Sequence, residues 1–417
     1  MPSISPSETA RLLLDACRNG LAPDPELAKA LAGDALASDD YLAAYASRAL
    51  FSELVEPLAD AFEPAYCDCY AAFFAHVIER AYSKLEAAQL TERYFQVRRV
   101  RQIQQEPRRV VIPSRVTLGA DVAITSLFLD AAKQRFPDAE IVFAGSKKAW
   151  ELFEKDSRLS FALLHYGRAG LLRDRLAVWE ELRDLTLAQP DTILLDPDSR
   201  VTQLGLMPVC SADGHYLFES RSFGGDGLEP LPVLARRWLY QTLGVTSVEP
   251  YIAPKFRFDF GDRRVATASL GVGENPSKKL SPAFEAGLIR TLFDASDSVM
   301  VDRGAGGEEG TRVERAIAAL GESAGHIGVH EGPFASFAAM IAASSFYAGY
   351  DSAGQHVAAA LGIPLFTAFA GFPCERMLAR WTPHGEGPRT VVPCRGQAEV
   401  AAIAELERAL SDAYGAR

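Results

Sequence analysis

The stretch RVVIPSRVTLGADVAITSLFLDAAKQRFPDAEIVFAG, residues 109–145, decides the fold. Its two ends, RVVIP and EIVFAG, are short apolar runs rich in β-branched residues, and between them DVAITSLFLDAAKQRFPDA reads as a helix. A strand, a helix and a second strand in that order predict a parallel sheet, since parallel neighbours need a crossover long enough to hold a helix.

The alternation continues toward the C-terminus. LSFALLHYG, the helix LLRDRLAVWEELRDLTLAQ, the strand DTILLDPDS and the helix PLPVLARRWLYQTLG complete one doubly wound unit, residues 106–250. YIAPKFRFDFGDRR (251–264) carries Pro, Gly and mixed charge without period and reads as a linker. A second unit, 258–400, repeats the pattern through VATASLGVG, SVMVDRG, HIGVHEG, FYAGYDS and PLFTAFAG, each followed by a helical or loop segment. Residues 401–417 form an amphipathic helix expected to pack back across the first unit. Residues 1–105 read as helical throughout, with Pro, Gly and Asp marking the breaks. The fold class is therefore α/β, two tandem Rossmann-like domains behind an all-α N-terminal extension.

Composition sets outer bounds. The 417 residues are 48% apolar and 23% charged, the profile of a globular protein. A formal charge of −11 argues against a general nucleic-acid binder, whose affinity comes from neutralising phosphates. No run is long and apolar enough to span a bilayer and the first residues are not signal-like, so a cytoplasmic protein is expected. The arginines between Arg93 and Arg115 leave room for peripheral membrane contact, although a solvated face is the plainer reading. The six cysteines are scattered, without metal-ligand spacing, and are expected as reduced thiols.

Three loops carry candidate chemistry. Asp121 stands at the first strand-to-helix turn, where a carboxylate can cap a helix whose first amides need acceptors. SLGVGENPSKKL (269–280) is Gly-rich and ends in two lysines, so Gly271 and Gly273 let the backbone approach a phosphate while Lys278 or Lys279 supplies charge. Asp351, Ser352, Ala353, Gly354 and His356 lie where an apolar strand gives way to a helix, whose first amides favour an anion.

These segments, with FPCERMLARWTPHGEGPRTVV (372–392), resemble the family 9 glycosyltransferases, the heptosyltransferase-like group of GT-B enzymes, across roughly residues 110–400. The resemblance implies Asp121 as general base and the 271–279 and 351–356 loops as the donor site. Ser352 stands for the family's Thr and Ala353 for a Gly. It further implies an inverting, metal-independent transferase with no cofactor, taking a nucleotide diphosphate sugar, ADP-heptose first, and a saccharide, lipid-linked or protein acceptor. Arg380 or Trp381 is expected to border the nucleotide, and Glu308 and Glu309 are weaker candidates at the base or ribose. The DPD at 196–198 matches a metal-binding DxD of another transferase class, but two Rossmann-like halves argue against that use. Asp198, Arg200 and His215 are candidates for the acceptor side, with capping as the alternative for the aspartates. The rival readings are a nucleotide-sugar epimerase of the same architecture and a catalytically degenerate binding scaffold. For residues 1–105, packing on the first domain or homo-oligomerisation is expected.

Overall fold

A computed structural model describes residues 4–415 apart from 168, 169, 274, 305, 396 and 397. The first sheet contains β1 (Arg109–Pro113), β2 (Glu140–Gly145), β3 (Leu159–Leu163), β4 (Thr192–Asp196) and β5 (His215–Leu217), in the order β3-β2-β1-β4-β5. The second contains β6 (Val265–Ser269), β7 (Ser298–Asp302), β8 (Ile327–His330), β9 (Phe346–Tyr350), β10 (Leu365–Ala370) and β11 (Arg389–Cys394), in the order β11-β10-β9-β6-β7-β8. Every pairing in both sheets is parallel. β5 is the strand the sequence pattern conceals: three residues inside CSADGHYLFES are too few to show a period.

Parallel strands are buried on both faces, and β1 shows what covers each. Val110 and Ile112 point to a core shared with the helices Ser126–Arg135 and Leu231–Leu243. Val111 points the other way, into a core built with the N-terminal helices. The first three of the N-terminal helices begin at Pro6, Pro25 and Asp40, with Ser5, Asp24 and Asp39 accepting a main-chain N–H at each start, and further helical segments follow, among them Ala49–Val55 and Pro64–Ala81. Their apolar side chains, among them Leu50, Leu54, Phe73 and Phe74, join Val111, Val142, Ala144, Leu194 and Leu217 in one cluster. The helical segment is a layer of the first sheet unit.

Arginine side chains fasten that layer. Arg93 donates to the carbonyls of Gly205 and Cys210, and Arg101 to those of Ala212, Asp213 and His215. Arg98, Arg108 and Arg109 pair with Asp68, Asp191 and Glu140. Much of the basic run between Arg93 and Arg115 is thus engaged by partners within the chain, some of them, such as Asp191 for Arg108, at the surface.

Two expectations are corrected. The C-terminal helix Glu399–Gly415 packs on the helix Pro282–Ala295 and on β11, burying Ala402, Leu406 and Leu410 in the second unit, and does not cross the first. Cys17 and Cys69 form a disulfide, so the thiols are not all reduced. A separation of 52 residues hides this pair in the sequence, and only helix packing brings the Cα atoms to 5.7 Å. Closing a loop of that length removes about 4 kcal/mol of unfolded-chain entropy in the simplest treatment. Urea unfolding of Cys17→Ser/Cys69→Ser is expected to show a stability 2–4 kcal/mol below that of the oxidised protein, by the usual range for such bonds, ~2–4 kcal/mol.

Candidate active site

In an open parallel sheet a ligand sits outside the carboxyl ends of the strands, at the point where the strand order reverses. In the first sheet that point lies between β1 and β4, and the loops leaving them begin at Ser114 and Pro197. In the second it lies between β6 and β9, whose loops begin at Leu270 and Asp351. All three chemistry-bearing loops of the sequence leave switch-point strands.

The two sets meet face to face. The segment 118–125 of the first unit packs on the helix Ala353–Ala360 of the second. Gly119 sets the spacing: a Cβ there would lie 3.0 Å from His356 Cδ2 and 3.2 Å from the Ala353 Cα. Between the units runs a cleft of about 1900 Å³, counting its open mouth, lined by Gly119, Gly271, Gly273, Lys278, Asp351, Ser352, Ala353 and His356.

On the second unit's side, Lys278 Nζ lies 2.5 Å from Asp351 Oδ2 and 3.1 Å from the Asp351 carbonyl, which ties the Gly-rich loop to the start of the helix. Asp351 Oδ1 accepts from Gln355 Nε2 at 2.5 Å. The Ser352 hydroxyl is buried without a hydrogen bond of ordinary geometry and caps nothing in its helix. His356 is 5% exposed, and burial pushes its imidazole down to about 4, with Lys278 adding to the effect and Asp351 opposing it. It is a neutral ring at neutral pH. Gly354 does not line the cleft: a Cβ there would meet the Tyr347 ring and hydroxyl, so glycine here serves close packing. Lys279 also turns away, to an ion pair with Glu308.

On the first unit's side, the expected base is not open. Asp121 is fully buried; Oδ2 accepts from Ser114 Oγ at 2.7 Å, and Oδ1 from Arg115 N and Thr125 Oγ1, each at 2.8 Å. Burial raises its carboxyl to about 6 and those three donors hold it from rising further. In this geometry Asp121 shapes the loop from within instead of facing an acceptor. His215 is corrected in the same way: it is fully buried, 3.1 Å from Asp196 Oδ2 and beside Arg93, in neither cavity. Asp196 accepts from Ser199 N and Thr202, a turn-capping role. Asp198 and Arg200 do line a second cavity, next to the cleft, where Asp198 is held by Ser220 and Arg221.

The sequence reading passed over Asp302, which lines the cleft. Asp302, at the end of β7, has Oδ1 2.9 Å from His330 Nδ1 and accepts from it in the tautomer that carries the proton there. Its position at a strand end beside the switch point is the signal that marks it. Trp381 borders both cavities, whereas its neighbour Arg380 is buried and donates to the Glu229 and Gly225 carbonyls. Glu309 lines the cleft and Glu308 does not.

No protein-family profile and no curated protein matches the sequence. Solved structures do match. A glycosyl transferase of family 9 from Veillonella parvula DSM 2008 superposes at TM-score 0.55 and 13% identity, over 75% of this chain and 99% of that one. The E. coli heptosyltransferase WaaC with ADP matches at TM-score 0.50 and 15% identity, over 72% and 99%. The same enzyme with ADP-2-deoxy-2-fluoro heptose matches at 0.50 and 16%, over the same shares. This is the GT-B fold. In this chain the two switch points face one cleft because the 118–125 segment packs on the 353–360 helix.

Two outcomes test this geometry. Gly119→Val is expected to force the 353–360 helix away from its seat, so hydrogen exchange there accelerates at least tenfold while β1 stays protected. The unfolded His356 takes up a proton near pH 6.5 and the folded one only near 4, so its contribution to stability is lost as pH falls through that window, by about 3 kcal/mol. Chemical denaturation of wild type and His356→Gln at pH 7 and pH 4 should show their difference changing by that amount, in that direction.

Proposed function

We propose that the chain is an inverting glycosyltransferase, moving a sugar from a nucleotide diphosphate sugar to an acceptor hydroxyl in bacterial glycoconjugate or glycoprotein synthesis. One observation carries the reading: two switch points on facing parallel sheets share one cleft, and one wall of it is a helix start with an adjoining lysine. The diphosphate lies against the first amides of the 353–360 helix, where the peptide dipoles place roughly half a positive charge. The Ser352 hydroxyl, buried and without a protein partner of good geometry, is placed to donate to a phosphate oxygen. Gly271 and Gly273 keep the opposite rim low.

Transfer adds a further negative charge to the terminal phosphate of the leaving diphosphate as the anomeric C–O bond breaks. Groups fixed in advance stabilise such charge best, because nothing has to reorganise when it develops. Lys278 is such a group, held at the loop by its bonds to Asp351. His356 is neutral and acts as a hydrogen-bonding ring, not as a cation. Charge on the leaving group therefore falls to Lys278 and the helix amides, and the reaction needs no added metal ion.

The ADP and ADP-heptose analogue in the solved GT-B neighbours make ADP-heptose the first donor to try, ahead of GDP and UDP sugars. A ligand that binds only the folded state raises the melting temperature. ADP-heptose is expected to do so, and to release ADP with excess EDTA present. Lys278→Met is expected to cut the rate of ADP release by about 100-fold, the scale for losing one preorganised charge-stabilising donor. No shift with any nucleotide sugar, or a release that depends on restored manganese, would overturn the reading.

A further inference from the structure

The N-terminal helices do more than cover a sheet. Phe51, Glu56 and Asp60 form one side of the second cavity, with Arg115, Arg200 and Arg221 of the first unit opposite. Thr117, Ala120 and Trp381 line both this cavity and the large cleft, so the two spaces adjoin at those residues. A donor in the cleft and an acceptor in the cavity meet at this junction.

An acceptor hydroxyl must lose its proton there, and the surrounding carboxylates differ in what they can do. Asp121 is sealed with three donors on its oxygens. Asp198 is 2% exposed and bound to Ser220 and Arg221. The Asp60 carboxylate is half-buried, lines the cavity, and makes no hydrogen bond or ion pair among the described residues. Its main chain is held firmly. The Asp60 and Ala61 carbonyls accept from Cys374 Sγ at 3.7 Å, and the Phe62 carbonyl accepts from Arg376 Nη1 at 2.9 Å. Arg376 also pairs with Glu63 at 2.8 Å, so the end of the helix Glu56–Asp60 is tied directly to the second unit.

We propose that Asp60 is the proton acceptor for the incoming hydroxyl, which makes the helical segment a working wall of the acceptor site. This rests on the glycosyl-transfer reading. As the acceptor oxygen bonds to the anomeric carbon, the bond from that carbon to the diphosphate oxygen breaks and its electron pair leaves with the diphosphate. The hydroxyl proton passes to the Asp60 carboxylate. Burial, with Glu56 adding and Arg200 and Lys278 opposing, holds that carboxyl near 6, so it is ionised at neutral pH and more basic than an ordinary aspartate.

The test uses the full chain and ADP-heptose with water as acceptor, read as ADP release at pH 7.5. Asp60→Asn is expected to lose at least 100-fold in release, a loss on the scale of one general base. Its own melting temperature and its shift with ADP should match wild type. Azide carries no proton to be removed, so it should restore ADP release to Asp60→Ala and not to Lys278→Met. Release within threefold of wild type in Asp60→Asn overturns the assignment. So does a joint loss of ADP binding and release, or a failure of azide to rescue Asp60→Ala. Wild type that neither binds ADP nor releases it from ADP-heptose defeats the transferase reading itself, a result these outcomes keep separate.

Discussion

The contact between Gly119 and the Ala353–His356 turn is the constraint on which the rest of the site depends. A Cβ at 119 would stand 3.0 Å from the His356 ring, closer than the segments tolerate without moving. Because the 118–125 segment leaves one switch point and the 353–360 helix leaves the other, this one approach fixes where two independent sheets place their loops. It also explains the state of His356: packed under a facing backbone, the ring loses the water that would stabilise its charge. Lys278 is left as the cation at that rim, oriented by Asp351.

Much of this architecture was legible because buried parallel strands must be apolar on both faces. RVVIP, VATAS and FYAGY announce themselves, and the loops following them carry the polar residues at predictable places. What the pattern cannot show is whether a polar group is already satisfied. Asp121 and His215 have the chemistry of a base and an acceptor ligand, yet Ser114, Thr125, Asp196 and Arg93 had engaged them first. Those partners come from turn geometry and from a helix more than a hundred residues away, which no local spacing reveals. Asp60 is the converse case: an unremarked residue of a helical segment, brought to the cavity beside the cleft only by tertiary packing.

Charge follows the same logic of engagement. The arginines of 93–115 look on paper like a basic surface, whereas Arg93 and Arg101 are consumed by loop carbonyls that β5 and its approach would otherwise leave short of donors. An arginine presents five donors in a planar fork, which suits it to gathering several carbonyls at once.

The shared core of the N-terminal helices and the first sheet has a consequence for relatives of this chain. Val111, Val142, Ala144 and Leu194 are covered by helices that come before the first strand, in place of the usual crossovers alone. A protein of the same fold that lacks such an extension has to present different side chains at those four positions or cover them with other segments.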